Sequence, residues 1–386
     1  GDEGVTLVFT RSIRYAEELR RRTSLELGEM SERIAAHHHL VPKQERVEIE
    51  RGAREGEVTV LISPRTLAQG IDIGGVTRVI HVGLPPTVRE FRQREGRKGR
   101  REEIEFTESI ILPLSSWDRE LLMRGAETLR RWVELPLEKA LVNPKNKYST
   151  LFEGLFKAVN PDLRRFLTEE EVLLLKELGL IEPGGLTEKG KRTWSYMNFY
   201  EFGPPYGMKR LLVEDEEEKY LEDIGHCDLV ERFQPGCIDY SANAIVVDLL
   251  KRGRVITGVV ERPLSIRTVL SYDPLAHAYE EYARVKMNWG EDPDVVGDYY
   301  RGRLHSEVIC VVDPPRRGFD LLVKTPNRVY WVLRSGKYRP VISGDRTYFV
   351  VDRRSLPVIG PTGGRYRDYT YGISVELEPG EDLEWL

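Results

Sequence analysis

The sequence predicts an α/β domain built on a parallel β-sheet, followed by a small helical region and a β-rich region. Up to about residue 115, short apolar runs alternate with helical patterns, and such continuous runs are typical of parallel strands covered on both faces. The pattern becomes helical from Trp117, and beyond Asn198 turn residues separate short strand-like runs. We therefore divide the chain into residues 1–115, 116–197 and 198–386.

The first region is predicted to alternate strands and helices. Its predicted strands are Val5–Phe9, Val58–Ile62, Val76–Val82 and Glu108–Leu114. Ile13 and Ala16 begin an apolar helical face after the first strand, and a second helix begins at Pro42 and ends at Gly56. Residues 37–40 are expected to form a short extended piece between these helices.

The second region contains a helix with signals at both ends. Thr168, followed three residues later by Glu171, predicts a capping box, and Gly179 predicts the end of the helix. The following segment, Leu180–Gly190, predicts a turn that leads into another helix. This order resembles the winged-helix fold, and a small helical bundle of another kind is the alternative.

The third region is predicted to be a β-meander or a small barrel interrupted by a helix over residues 276–289. The acidic run Glu214–Glu218 is expected to be a solvated loop. The predicted strands are residues 244–249, 255–260, 306–312, 321–324, 328–333, 347–351 and 371–377.

Composition excludes several classes of protein. No stretch approaches the roughly 18 apolar residues that a membrane span requires, so we expect no membrane partner. The three cysteines, Cys227, Cys237 and Cys310, cannot form a disulfide framework and contain no CxxC pair, and we therefore expect a cytoplasmic protein. The net charge of −5 excludes a uniformly basic nucleic-acid coat but permits a local basic groove.

An arginine-rich segment between two predicted strands has the chemistry of a polyphosphate site. Arg94, Arg97 and Arg100 recur every three residues, with Gly96 and Gly99 between them. Guanidinium groups pair with phosphoryl oxygens through two donors and stay charged at any relevant pH. The glycines allow the backbone to approach a ligand closely.

Four segments resemble motifs of the second RecA-like lobe of superfamily 2 nucleic-acid helicases, and they follow one another along the chain in the order that this family has. Gln93–Arg100 (QREGRKGR) matches the QRxGRxGR signature, motif VI, position for position. Thr66–Asp72 (TLAQGID) resembles motif V, combining features of the Ski-like and Lhr-like helicases. Leu7–Arg11 resembles motif IV, and His38-His39 with residues 42–46 resembles the segment between motifs IV and V.

This resemblance implies the C-terminal portion of an ATP-dependent DNA helicase or translocase. The sequence contains neither a GxxxxGK[ST] loop nor a DExH box, and in this family both lie on a first RecA-like lobe. That lobe is therefore an expected partner that binds most of the ATP and Mg²⁺, and this chain alone is expected to be inactive. DNA, as a single strand or a junction, is the expected substrate. An RNA helicase and a non-catalytic nucleic-acid-binding or scaffold module are the alternatives.

The resemblance also assigns roles to individual residues. Arg97 and Arg100 correspond to the arginine fingers that reach the γ-phosphate, for which a solvated basic helix is the alternative. The resemblance gives a nucleotide-side role to Gly70, Asp72, Gln93 and Arg94, and a nucleic-acid-binding role to Thr10, Arg11, His39 and Thr66. A helix cap and a surface arginine are the alternative for Thr10 and Arg11, and Pro64 departs from the commoner threonine of motif V.

The remaining sequence contains two further patterns with possible chemistry. Residues 37–39 are three consecutive histidines, which cannot all face one ion in an extended chain, so no metal site is expected. Glu280, Glu281 and Asp320 before a strand resemble the order of a nuclease, but the strand lacks the second carboxylate, which leaves at most a degenerate nuclease-like fold. A stacking surface for single strands is the alternative use of Tyr299, Tyr300, Tyr330 and Trp331 with Arg301 and Arg303.

Overall fold

The structure is a computed structural model that describes most of the 386 residues. The described residues are 4–64, 73, 75–100, 104–137, 147–196, 207–215, 217–313, 321–344 and 346–368. Within these ranges, no helix combines the length and the apolar character that a membrane crossing needs.

The first region folds around a five-stranded parallel sheet, as the sequence predicts. Its strands are β1 (Val5–Phe9), β2 (Ile34–Ala36), β3 (Val60–Ser63), β4 (Val76–Val82) and β5 (Glu108–Leu112). The helices between them are α1 (Ile13–Leu27), α2 (Lys43–Glu55) and α3 (Val88–Glu95). The strand order is β2-β3-β1-β4-β5, and every neighbouring pair is parallel. Leu7, Phe9, Leu61 and Val79 are buried at its centre.

The extended piece between α1 and α2 was predicted at residues 37–40, but the strand lies at Ile34–Ala36. The apolar Ile34 and Ala36 face the sheet core, whereas His37–Leu40 lie beyond the strand, where the backbone turns towards α2. The histidines therefore lie at the carboxyl edge of the sheet.

The second region is helical with one small hairpin, the elements of a winged-helix-like unit. Its helices are α4 (Ser116–Met123), α5 (Ala126–Glu134), α6 (Lys147–Val159), α7 (Glu169–Glu177) and α8 (Glu188–Tyr196), and its strands are β6 (Ile181–Glu182) and β7 (Gly185–Leu186). The predicted capping box is present at α7: the Glu171 amide donates to the Thr168 hydroxyl, and the Thr168 amide donates to the Glu171 carboxylate. Leu151, Leu155 and Leu175 form its buried centre.

The third region contains two open sheets rather than a single meander or a closed barrel among its described strands. Its strands are β8 (Met208–Glu214), β9 (Glu217–Ile224), β10 (Ile238–Asp239), β11 (Ala244–Arg252), β12 (Val255–Pro263), β13 (Leu304–Asp313), β14 (Leu321–Ser343), β15 (Arg346–Val358) and β16 (Arg365–Asp368). Its helices are α9 (His226–Arg232), α10 (Ile266–Leu270), α11 (Asp273–Asn288) and α12 (Val295–Tyr300).

One sheet has the order β10-β11-β12-β8-β9, and the other has the order β13-β14-β15 with β16 also paired to β14. The expected acidic loop is instead part of a hairpin, because β8 runs to Glu214 and β9 begins at Glu217. The carboxylates project into solvent from strand ends, so their exposure is compatible with regular structure. The predicted strand at residues 371–377 lies outside the described residues.

The first and third regions share a buried interface. Leu40 belongs to the apolar core of the β-rich region, and Ile13 packs against that core. Arg21 of α1 is buried, and its guanidinium donates to the Tyr240 carbonyl at 3.2 Å and to Asn243 Oδ1 at 3.3 Å. The same guanidinium lies 4.4 Å from the centre of the Tyr299 ring. The lobe and the β-rich region are therefore held together by both apolar and polar contacts.

Candidate functional site

The predicted nucleic-acid-binding residues at the end of β1 lie at the carboxyl edge of the parallel sheet. The Thr10 amide donates to the carbonyl of Ser63, which ends β3, at 3.0 Å. Thr10 is buried, and its hydroxyl donates to the Ser12 carbonyl. Ser12, rather than Thr10, is the N-cap of α1, because its hydroxyl accepts from the Tyr15 amide. Ligands of open α/β sheets bind at this edge.

Arg11 extends across the same edge and is half exposed. Its Nη2 lies 3.3 Å from the Asp118 carboxylate, which is buried at the start of α4. Burial acts to raise the pKa of Asp118, but hydrogen bonds from the Ser115 and Leu114 amides and the Ser115 hydroxyl, with the nearby Arg11, lower it below its usual value. A fixed anion therefore orients the Arg11 guanidinium.

Gly83 makes room for Arg11 at this edge. It follows β4 with φ of +81°, and a Cβ there would lie 2.9 Å from Arg11 Nε. No sequence signal pointed to Asp118 or Gly83 as partners of Arg11, because they lie 107 and 72 residues away along the chain.

The three histidines point to three different partners. Nε2 of His37 lies 2.9 Å from Glu50, and Nε2 of His38 lies 2.8 Å from Glu17. Burial lowers the pKa of His37. His39 is half exposed, with its Nε2 3.9 Å from Asp228 of α9. The predicted nucleic-acid candidate His39 therefore lies beside the β-rich region, next to the Asp228 carboxylate.

The segment with the predicted arginine fingers lies at the opposite, amino edge of the sheet. The Gly99 amide donates to the carbonyl of Val76, the first residue of β4, at 3.0 Å. Gly99 has φ of +64°, in the left-handed region that favours glycine. This turn lets the chain after α3 double back along the end of β4 and present both arginines together.

Arg97 and Arg100 lie three residues apart on this turn and differ in exposure. Burial first, and then the positive charge of Arg100, lower the pKa of Arg97. Arg97 is 8% exposed, whereas Arg100 is exposed and donates from Nε to the Gly96 carbonyl at 2.8 Å. Because guanidinium groups pair with phosphoryl oxygens through two donors, a polyanion is the kind of ligand that this pair could bind.

The loop is anchored by Glu95, a residue at the variable position of the signature. One Glu95 oxygen lies 2.8 Å from Nε2 of the buried His81, and the other lies 2.6 Å from Lys98 Nζ and 2.7 Å from the Ser109 hydroxyl. Burial acts to raise the pKa of Glu95, but these hydrogen bonds outweigh it and lower the pKa to about 2. Neither Glu95 nor His81 lies at a conspicuous motif position, so no local sequence signal marks them.

The two other predicted nucleotide-side residues of this segment differ in environment. Gln93 is exposed on α3, and its side chain is therefore accessible to a ligand. Arg94 is buried, its Nη2 lies 2.7 Å from Glu90, and its guanidinium lies 5.1 Å from the centre of the Phe9 ring. Arg94 therefore fixes α3 against the sheet.

Three predicted site residues, Thr66, Gly70 and Asp72, lie outside the described residues. The segments that flank them end at opposite edges of the sheet, since Ser63 ends β3 at the carboxyl edge and Val76 begins β4 at the amino edge. The described part of the chain contains no group of three or more His, Cys, Asp or Glu side chains placed to hold a metal ion.

The candidates in the β-rich region are mostly structural. Tyr299 and Trp331 are buried in its core, which removes them from the predicted stacking surface. Glu280 and Glu281 are exposed on α11, paired with His277 and Arg284, and Asp320 lies outside the described residues. Both glutamates are held in ion pairs on α11, and the third acidic residue of the nuclease-like pattern is not among the described residues.

A buried lysine of this region belongs to a closed ion network. Lys286 Nζ lies 2.7 Å from Glu291 and 2.9 Å from Asp298, and the Tyr282 hydroxyl donates to the same Asp298 oxygen at 2.6 Å. Arg303 approaches both carboxylates at 3.7 Å. The charges neutralise each other, and the network joins α11, α12 and the strands beside them.

Comparison with known proteins agrees with this geometry. Residues 1–102 match the helicase conserved C-terminal domain family. The ATP-dependent helicase Lhr-Core protein 2 of Thermococcus barophilus is 34% identical over 113 residues, which cover 29% of this chain and 13% of that protein. The ATP-dependent RNA helicase rok1 of Neurospora crassa is 39% identical over 98 residues, covering 24% of this chain and 12% of that protein.

A solved structure extends the similarity beyond the first region. The DUF1998 helicase MrfA, crystallised with DNA, covers 93% of this chain and 46% of its own with a TM-score of 0.55 and 15% identity. At this identity the likeness concerns the fold.

The fold and the motifs define a RecA-like α/β lobe of the superfamily 2 type. More particularly, residues 1–102 are similar to the helicase conserved C-terminal domain, the C-terminal lobe of superfamily 2 helicases. The matched segments span only about an eighth of the length of the Lhr-Core relatives, 13% in each case.

Proposed function

We propose that the chain is the C-terminal portion of an ATP-dependent DNA helicase or translocase, and that Arg97 and Arg100 act as arginine fingers on a nucleotide held mainly by a first RecA-like lobe. The observation that carries this proposal is the turn at the amino edge of the sheet, closed by the hydrogen bond from the Gly99 amide to the Val76 carbonyl, on which Arg97 and Arg100 both lie. ATP supplies the polyanion that this pair fits, and the chain's own residues position the turn through Glu95 and His81.

The separation between the amino and carboxyl edges of the sheet supports a motor function for this lobe. The nucleotide-side arginines lie at the amino edge, and Thr10 and Arg11 lie at the carboxyl edge of the same rigid sheet. When the arginines at one edge bind or release phosphate, the whole sheet moves, and the groups at the other edge move with it. Such a lobe can convert nucleotide-driven closure into a shift along a strand.

The substrate proposal is DNA, with RNA as a second candidate. The MrfA structure that shares the fold is described as bound to DNA, whereas the rok1 relative is named an RNA helicase. Phosphate contacts do not distinguish the two sugars. Strand-stimulated turnover measured with matched DNA and RNA oligonucleotides decides between them.

The test uses Arg97→Ala and Arg100→Ala in the protein that contains both lobes. Each variant should lose about 10³–10⁵-fold in nucleic-acid-stimulated ATP turnover, because the developing charge on the γ-phosphate loses its guanidinium. Arg97→Lys and Arg100→Lys should recover little, since an ammonium group lacks the two-donor fork.

Arg130→Ala is the matched control, because Arg130 is an exposed arginine on α5. This control should turn over ATP like the unaltered protein. Normal turnover in Arg97→Ala and Arg100→Ala would favour the non-catalytic scaffold and defeat the proposal.

A further inference from the structure

A two-stranded arm projects from the second sheet of the β-rich region. We define the arm as residues 338–354, the distal part of the β14–β15 hairpin. Within it, Tyr338 pairs with Val351 and Ser343 pairs with Arg346, while β13 pairs with β14 only at residues 322–333. The arm therefore has no third strand among the described residues, and both of its faces extend away from the sheet core.

One face of the arm exposes aromatic and apolar side chains. Tyr338 is 71% exposed, Phe349 is 69% exposed and Ile342 is 78% exposed. These residues share a face because Tyr338 is opposite Val351, Pro340 is opposite Phe349, and Ile342 is opposite Thr347. Tyr338 and Phe349 are diagonal neighbours, about 7–8 Å apart in such ladders, which is close enough for the two rings to form one platform.

This face has no core to cover it. Leu356 and Val358 of β15 point into the apolar core, and Phe349 has the opposite parity along the same strand. Its ring therefore points to the outer side of the sheet. Exposed rings on a strand with open edges favour unwanted association unless a ligand uses them.

The charge of the arm indicates which ligand that is. The arm contains four arginines and two aspartates, a net charge of +2, in a chain whose total is −5. Asp352 is paired with Arg339 at 3.3 Å, while Arg353 and Arg354 are exposed at the base of the arm. Basic groups beside open aromatic rings are the combination that binds single-stranded nucleic acid, through phosphates and base stacking.

We propose that the arm is a binding surface for single-stranded nucleic acid, with Tyr338 and Phe349 stacking on bases and Arg353, which has the same parity as Phe349 along β15, contacting phosphates. The inference rests on the proposed function, since it assumes a nucleic-acid substrate, and it assigns strand contact to a part of the chain outside the helicase motifs. It also replaces the stacking surface predicted from the sequence, whose Tyr299 and Trp331 are buried.

The test measures binding of the full chain to fluorescein-labelled dT20 and rU20 by fluorescence anisotropy at several salt concentrations. Tyr338→Ala and Phe349→Ala should each weaken binding about tenfold without changing the salt dependence, because base stacking is lost and phosphate contacts are kept. Arg353→Ala should weaken binding and reduce the slope of log K against log salt by about 0.7, the value for one phosphate contact.

Two conservative variants separate stacking from apolar contact. Phe349→Trp should retain binding. Phe349→Leu keeps apolar area but loses the ring, and it should weaken binding about as much as Phe349→Ala does. Tyr220→Ala is the matched control, because Tyr220 is 64% exposed on β9 of the other sheet. Thermal melting of each variant, expected to be unchanged at these exposed sites, verifies folding.

The outcomes separate this inference from the proposed function. If the unaltered chain binds and the ring variants bind equally well, the arm proposal is wrong while the motor proposal remains. If the ring variants bind normally but the oligomeric mass measured by sedimentation differs from that of the unaltered chain, the arm docks on a second copy of the chain. The proposal is then also wrong. If the unaltered chain binds neither oligonucleotide, the arm proposal is wrong, whereas the motor proposal is decided separately by ATP turnover in the protein that contains both lobes.

Discussion

At the scale of single residues, the chemistry of the candidate site depends on side chains outside the recognisable motif positions. Arg97 and Arg100 were predicted from their spacing, but their placement depends on Glu95, which joins the loop to His81 on β4 and to Ser109 on β5. Arg11 similarly depends on Asp118 at the start of α4. The motifs supply the candidate arginines, and residues outside the signature positions hold those arginines in place.

Glu95 gives the lobe an acid-sensitive anchor. Its folded pKa of about 2 lies below the ordinary value of 4.5, so its contribution to stability is complete above pH 4.5 and is lost as the pH falls towards 2. Glu95→Gln should therefore lower the free energy of unfolding by about 1 kcal/mol at neutral pH. It should also reduce the loss of stability between pH 4.5 and pH 2, measured by urea denaturation at each pH.

The control for this experiment is Glu120→Gln, because Glu120 forms an exposed helical pair with Arg124. Its denaturation curves should follow those of the unaltered chain at each pH. Equal pH dependence in Glu95→Gln and the unaltered chain would show that the anchor has no energetic role.

At the scale of elements, α1 serves two regions at once. Ala16 packs into the core of the parallel sheet, while Arg21, on another part of the same helix, enters the β-rich region. The Tyr299 hydroxyl donates to Asn243 Oδ1 at 2.8 Å, so one amide oxygen accepts from both Arg21 and Tyr299. Because one helix contacts both regions, the position of the lobe determines the position of the β-rich region.

Arg21→Ala should loosen this junction. The substitution removes a buried guanidinium from the Tyr240 carbonyl and the Tyr299 ring, and we expect a loss of about 2–4 kcal/mol in unfolding free energy. Differential scanning calorimetry should show a lower melting temperature, or two transitions where the unaltered chain shows one.

Arg22→Ala is the matched control on the same helix, because the Arg22 side chain is 60% exposed. Its melting profile should not change. If Arg21→Ala melts like Arg22→Ala, the junction is held by its apolar contacts alone.

At the scale of the whole molecule, the two candidate edges and the β-rich region form one connected unit. Leu40 follows the carboxyl edge and lies in the core of the β-rich region, so that region is bound to move with the sheet. Under the proposed function, closure on a nucleotide at the amino edge displaces the strand-binding edge and the β-rich region together. The arm is then carried along with each cycle.

The purified chain alone is expected to show no ATP turnover above background. Its 386 residues contain the two arginines but no GxxxxGK[ST] loop to cradle the phosphates. Phosphate release in the presence of dT20 measures this directly. Turnover that disappears in Arg97→Ala would contradict the expectation, whereas turnover that persists in that variant identifies a contaminant.

The sequence by itself determined the parallel lobe, its motif residues and the capped helix α7, because these depend on local periodicity, capping and contiguous motifs. Only the tertiary structure decided which arginines are exposed, and that Tyr299 and Trp331 are core residues while Tyr338 and Phe349 are not. The physical reason is that exposure and ion pairing arise between residues far apart in the chain, such as Arg11 with Asp118 and Arg21 with Asn243. A single sequence contains no local signal for such contacts.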